Sequence, residues 1–169
     1  MSVRIQSADV AEFDVVGVID RPGSERHAVL PALSITHTHD RAGQITVSGR
    51  PMPGMFMAAM HWRTADDVII VGKDPVSENI NINFQLKGYL QTHFNGLHHD
   101  LDMKAGRHNL VFTPDAGEWH RIRAHDELEM LHISINRSHF RGLIGTEGAW
   151  CEHVLRTLEA ERPFSGIHG

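Results

Sequence analysis

Between residues 79 and 87 the chain alternates without error, with Ile80, Ile82, Phe84 and Leu86 on one set of positions and Asn79, Asn81, Asn83, Gln85 and Lys87 on the other. A period of two is that of a β-strand, whose successive side chains leave by opposite faces. An apolar set opposite a polar one predicts a half-buried strand with the apolar set inside. After Gly88 the alternation resumes in Leu90, Thr92 and Phe94, halts at Asn95-Gly96, and continues through Leu97, His99, Leu101 and Met103. Asn-Gly suits the two positive-φ positions of a type I′ turn, so a two-residue hairpin is expected. In that register Phe94 faces Leu97, Thr92 faces His99 and Leu90 faces Leu101, which gathers the apolar residues of both strands on one face. The other face pairs His93 with His98, Gln91 with Asp100 and Tyr89 with Asp102.

Further strands are predicted at 109–113, 119–124 and 127–135, separated by the turn-rich Lys104-Ala105-Gly106 and Pro114-Asp115-Ala116-Gly117. Upstream, 13–19, 44–48, 55–62 and 68–71 carry shorter strand patterns. Many short strands at close spacing give a barrel or a sandwich. The period changes near the end of the chain, where Phe140, Leu143 and Ile144 share one helical face and Trp150, Val154, Leu155 and Leu158 share another, with Asn136 and Thr146 as candidate N-caps. The expected architecture is mainly β: an arm over 1–40, a barrel over 41–136 and a helical pair over 137–162, all in one domain. Residues 165–169 read as a frayed or cut end.

Length and composition narrow the function. A chain of 169 residues with 41% hydrophobic content makes one core. Sixteen Lys and Arg against 21 Asp and Glu leave a net charge of -5, the wrong balance for holding polyphosphate, so the chain itself is not expected to bind nucleic acid. The single cysteine, Cys151, makes no internal disulfide, and in a predicted amphipathic helix beside Trp150 it reads as a buried inert thiol. No apolar run of signal or membrane-spanning length opens the chain, so a cytoplasmic protein without membrane contact is expected. The 14 histidines leave a metal site, a pH response and plain polar surface all to be weighed.

The segment 80–88 with INFQLKG inside it, the hairpin, Met103-Lys-Ala-Gly106 and Pro114-Asp-Ala-Gly117-Glu-Trp-His120 together resemble the cupin barrel. More narrowly, residues 79–143, with LHISINRSHFRGLIG, resemble the N-terminal effector-sensing half of AraC-type transcription regulators. The resemblance implies a cupin-like double-stranded β-helix that binds a small effector, followed by helices that pair two subunits. It also implies a separate DNA-binding domain with two helix-turn-helix units, expected to lie outside this chain, and DNA contact is expected only through that domain. Metal cupins carry two motifs, and Gly106, Pro114, Gly117 and His120 resemble the second. Aligning the closing glycine of the first on Gly88 puts Asn81 where the metal-binding Glu stands, and no histidine lies at 74–77. One surviving His cannot hold a metal that needs three or four N and O ligands, so neither metal nor other cofactor is expected.

Several histidines are weighed on their own pattern. His37-Thr-His39 has ligand spacing, but it precedes the barrel motifs and reads as a solvated loop. His93 and His98 could hold an ion across the hairpin, or simply face solvent. His99 is the lone ionisable residue on its predicted face, either a satisfied core histidine or a ligand contact. Met52, Met55, Met57 and Met60 fit an irregular core more than an adaptable pocket. Trp62, Trp119 and His120 could frame a barrel mouth, with Arg121 and Arg123 beside Trp119 facing water. The expected ligand wall is Phe84, Leu86, Leu90, Thr92, His99 and Leu101, with Trp119 and His120 at the rim. The expected homodimer contact is Trp150, Val154, Leu155 and Leu158 on a helix over 146–160. The leading function is therefore a ligand-sensing, dimerising module without catalysis. The alternative is a metal-dependent cupin enzyme, of dioxygenase or isomerase type, joining His120 to His93, His98 or His99; a barrel that only dimerises is a third reading.

Overall fold

The computed structural model describes residues 2–6, 33–39, 42–72, 78–114 and 117–168. Its elements in chain order are β1 Ser2–Gln6, β2 Leu33–His39, β3 Gly43–Met52, β4 Met55–Arg63, β5 Asp67–Gly72, β6 Asn79–Lys87, β7 Tyr89–Phe94, β8 Leu101–Lys104, β9 His108–Phe112, β10 Glu118–Ile122 and β11 Glu127–Asn136. The helices α1 Arg137–Ile144 and α2 Ala149–Glu159 follow, then a last strand, β12 Phe164–His168. The strand predicted at 13–19 falls outside the described residues.

The strands form two sheets, ordered β1-β5-β10-β7-β8 and β12-β9-β6-β11-β4-β3-β2. Between β4 and β11 the pairing is nested: β7 with β8, β6 with β9, β5 with β10 and β4 with β11, all antiparallel. A long hairpin wound so that its strands fall alternately into two facing sheets is the eight-stranded jelly roll, the cupin architecture. β3 and β2 extend the second sheet, β1 joins the first as a parallel strand beside β5, and β12 covers the β9 edge. The expected frayed end at 165–169 is thus corrected, because the backbone from Phe164 to His168 pairs with β9 and leaves that edge closed.

Two cores result. Inside the barrel, Ile45, Val47, Phe56, Trp62, Val68, Ile70, Ile122 and Met130 meet from both sheets. Outside the second sheet, Ile80, Phe112 and Ile135 pack beneath Phe140 of α1 and Val154 and Leu158 of α2, with Ile82, Leu110 and Ile133 at the margin. This second core turns β6 over relative to expectation. Ile80 and Ile82 face the helices, whereas Asn79, Asn83 and Gln85 face the barrel interior, with Asn79 and Gln85 buried. Phe84 stacks on His108 at 5.6 Å, and Leu86 is 61% exposed. Strict alternation shows that a strand has an apolar side; it does not show which layer covers that side.

The hairpin also differs. β7 and β8 pair Thr92 with Leu101 and Leu90 with Met103, two residues out from the expected register. Gly96 has φ +86° but Asn95 does not join it at positive φ, so the type I′ turn does not form and 95–100 make a wider loop. The Asn95 N–H is taken by the Gly117 carbonyl at 3.0 Å, and the Asp100 carboxylate bonds His93 at 2.8 Å and Gln91 at 3.4 Å. A shift by an even number preserves faces, so Leu90, Thr92, Leu101 and Met103 still point inward. His99 is carried onto the exposed loop, 3.5 Å from Ser165.

The capping of α1 follows its sequence: Asn136 Oδ1 accepts the His139 N–H at 2.7 Å. α2 starts after Gly148 with no side-chain cap, so Thr146 does not fill that role.

Candidate functional site

One level of the barrel interior is polar on both walls. On the first sheet, the register that pairs Thr92 with His120 puts both on the inner face, and Glu118 lies two residues before His120 on that face. His120 Nδ1 and Thr92 Oγ1 are 2.9 Å apart, and His120 Nε2 is 3.3 Å from Glu118 Oε1, to which it donates. Gly72 lies opposite Glu118, and a Cβ there would stand 2.6 Å from Glu118 Cγ, so glycine is what gives this carboxylate its place. Phe94 meets the His120 ring edge-on at 6.0 Å.

On the facing sheet, β11 sets His132 against Asn83 of β6, which itself lies against Asn109 of β9. His132 Nδ1 donates to Asn83 Oδ1 at 2.7 Å, and Asn83 Nδ2 donates to the buried Asn109 Oδ1 at 2.8 Å. The amide fixes the tautomer: with its proton on Nδ1, His132 keeps a lone pair on Nε2 as an acceptor. Ser134 follows on the same face, and its buried Oγ has no hydrogen-bond partner among the described residues. Although both sheets flank them, Glu118 and His120 keep 22% and 17% of their side-chain surface accessible, and His132 and Asn83 are half-buried. Polar side chains line this level of the interior, and hydrocarbon fills the next.

The electrostatics follow from this enclosure. Burial is the main force on His132 and lowers its pKa to about 4; the Glu118 charge pulls it back up and the His120 charge lowers it further. Burial pushes the Glu118 carboxyl up, but the charge of His120, its hydrogen bond and the charge of His132 together hold it below its usual value. This level therefore contains a carboxylate paired with His120, a neutral imidazole at His132 with an acceptor on Nε2, and several amide and hydroxyl groups. Such a lining can orient a ligand that donates hydrogen bonds.

The expected ligand wall is redistributed. Thr92 and His120 lie in the chamber and bond each other. Leu90 and Leu101 face inward but are buried, Leu90 within the barrel core. Phe84 and Leu86 are on the outside of the second sheet, His99 is on the exposed loop, and Trp119 is outside the first sheet, stacked on His93 at 5.7 Å and 9°. His93 bonds Asp100, not His98, which is exposed. His93 and His120 thus occupy opposite faces of one sheet, and His98 and His99 sit on a loop, so the ligand set expected for a metal enzyme does not converge. Glu118, His132, Asn83 and Asn109 escaped the sequence reading. The available signal was the kind of polar residue in 79–85: amides without charge suit an enclosed wall, whereas a solvated strand face commonly carries Lys or Glu.

Other candidates lie elsewhere. Among the described residues, one group of metal-ligand type has its donor atoms within 4.8 Å of one another: His61, Glu127 and Glu129. Its Glu127 is already engaged by His61 at 2.8 Å, Arg63 at 3.3 Å and Lys87 at 2.5 Å on the outer face of the sheet. His39 is exposed on β2, where its Nδ1 accepts the Ala42 N–H at 3.1 Å; the side chain of His37 falls outside the described set. Met60 packs against the barrel core and Met55 against the helical one, while Met57 is exposed. Cys151 is half-buried and donates to the Ile144 carbonyl. On α2, Val154 and Leu158 are buried in the protomer's own core, which corrects their expected place in a dimer contact. Leu155 is half-buried, and Trp150 and Leu143 are 55% and 57% exposed.

The family model described as the regulatory protein PchR N-terminal domain matches residues 42–166. No curated protein matches the chain. Among solved structures, the Cnp3 cupin domain of Schizosaccharomyces pombe is similar at 11% identity and TM-score 0.45, over 64% of this chain and 72% of that one. The Cupin_2 domain of an XRE family transcriptional regulator from Enterobacter cloacae is similar at 10% identity and TM-score 0.43, over 54% of this chain and 95% of that one. An HTH_3 family transcriptional regulator from Vibrio cholerae is similar at 10% identity and TM-score 0.41, and this chain, over 54% of its length, spans half of it.

Proposed function

The chain belongs to the family of regulatory protein PchR N-terminal domains, and we propose that it is the sensor of an AraC-type transcription regulator, holding a small effector between Glu118–His120 and His132–Asn83. The observation that carries this reading is the polar chamber itself. A barrel that served only as scaffold would gain stability from filling this level with hydrocarbon, as it does one level away. The lining favours an effector with hydrogen-bond donors or positive charge toward Glu118 and the His132 Nε2, and a donor or acceptor toward Ser134 Oγ. Sensing needs no chemical step. An effector shifts the regulator by its difference in affinity for two arrangements of barrel and helices, and α1 begins directly where β11, the strand of His132 and Ser134, ends. DNA contact belongs to a helix-turn-helix domain of the whole regulator, and pairing of two copies to the exposed Leu143 and Trp150.

A thermal-shift screen of polar metabolites tests this. A ligand at a hundredfold excess over its Kd adds about 2.7 kcal/mol, a rise of roughly 5–10 °C for a domain of this size. The rise should be lost in Glu118→Gln and in His120→Ala. A ligand that stabilises both variants as it does the wild type binds elsewhere and contradicts the assignment.

A further inference from the structure

The outer face of the first sheet carries an open cleft of about 540 Å³ lined by Tyr89, Asp102, Lys104, Arg107 and Arg123. Four separate stretches supply it. Tyr89 is in β7, Asp102 and Lys104 in β8, Arg107 in the turn that its N–H closes onto the Lys104 carbonyl at 3.0 Å, and Arg123 just after β10. Three cations gather here on a protein whose net charge is -5. Six cations elsewhere are engaged by acids: Arg63 and Lys87 by Glu127, Arg121 by Asp67, Arg137 by Glu161, Arg141 by Glu159 and Arg156 by Glu152. Among the described residues, no ion pair engages Lys104, Arg107 or Arg123. The one acid of the cleft, Asp102, accepts the Tyr89 hydroxyl instead. That bond, with burial, raises the pKa of the phenol and keeps it protonated as donor. The Tyr89 ring in turn holds the Arg123 guanidinium 4.7 Å from its centroid, so this cation is already positioned.

We propose that this cleft is a second binding site, outside the barrel, for a compact oxyanion ligand bearing two or more negative charges, as phosphoryl or polycarboxylate groups. The guanidinium groups of Arg107 and Arg123 offer forked donors suited to phosphate or carboxylate oxygens, and Lys104 adds a point charge. Three cations against one carboxylate leave a net charge of about +2, which a dianion neutralises. The site does not depend on the chamber: the ligand meets no residue of the Glu118 and His132 walls.

Calorimetric titration of the whole chain with inorganic pyrophosphate and, separately, with citrate at fixed ionic strength tests it, the two arms distinguishing phosphoryl from carboxylate chemistry. One saturable site is expected. The double variant Lys104→Ala/Arg107→Ala should weaken it at least about tenfold, and Arg156→Ala, which removes a distant exposed cation, should leave it unchanged. Asp102→Asn removes the opposing charge and should tighten binding roughly threefold. All four substituted residues are exposed, and circular dichroism on each variant checks that the fold is kept. No saturable binding of either anion up to roughly 10 mM, a double variant that binds as well as the wild type, or weaker binding by Asp102→Asn would each overturn the proposal.

Discussion

His132 makes the chamber sensitive to acid through stability, in a direction opposite to that of a salt-bridged histidine. Its folded pKa is about 4 against the ordinary 6.5. The unfolded chain therefore binds the proton first, and the contribution of neutral His132 is present in full above pH 6.5 and lost as pH falls toward 4. At pH 5 the unfolded imidazole is almost fully protonated and the folded one almost fully neutral. With these two pKa values, the loss between pH 7.5 and pH 5 is about 2 kcal/mol. The window lies above the range in which Glu118 and Glu127, both with lowered pKa, take up protons. His132→Gln keeps a donor within reach of Asn83 and removes the titration. Urea unfolding followed by tryptophan fluorescence, at steps from pH 7.5 to 5, should show the wild type losing about 2 kcal/mol more than the variant across that range. Equal losses in the two proteins would mean that His132 is not held neutral by burial, and the enclosed chamber would lose its electrostatic support.

Other outcomes follow from the same packing and charge arrangement. Leu158→Ala, at a fully buried position under the second sheet, should cost about 2–5 kcal/mol by denaturant unfolding. Leu143→Asp with Trp150→Asp should leave that stability nearly unchanged yet convert a dimer to a monomer in light scattering, if these side chains are the contact between copies. The Glu127 carboxyl, held at about 2 first by the Lys87 hydrogen bond and then by His61, stabilises the fold above its ordinary 4.5 and loses that effect as pH falls toward 2. Glu127→Gln should therefore flatten the acid limb of the stability curve.

The strand positions were largely legible because alternation and turn residues are local properties. The predicted strand over 79–87 coincides with β6, and 55–62 and 127–135 fall within one residue of β4 and β11. What stayed hidden depended on a second layer. Ile80 and Ile82 look like the inside of a barrel until α1 and α2 supply another apolar face, and this inversion moved Phe84 and Leu86 out of the expected wall. Val154 and Leu158 show the same effect from the helical side, since their stripe closes on the protomer's own sheet. The Asn95-Gly96 turn failed for a long-range reason as well, the claim of Gly117 on the Asn95 amide. His120, marked by its motif, and Thr92, marked by alternation, both lie on the inner face of the first sheet. His132 and Glu118 were missed because neither pattern says which imidazole and which carboxylate meet across the barrel.

The most direct test of the chamber is a histidine-observed NMR titration with a ligand that raises the melting temperature. The Hε1–Cε1 signals of His120 and His132 should shift together and saturate with the ligand, while those of His93, outside the sheet, and His99, on the loop, stay in place. A stabilising ligand that moves His93 or His99 and leaves His120 and His132 unchanged would contradict the assignment of the barrel interior as the effector site.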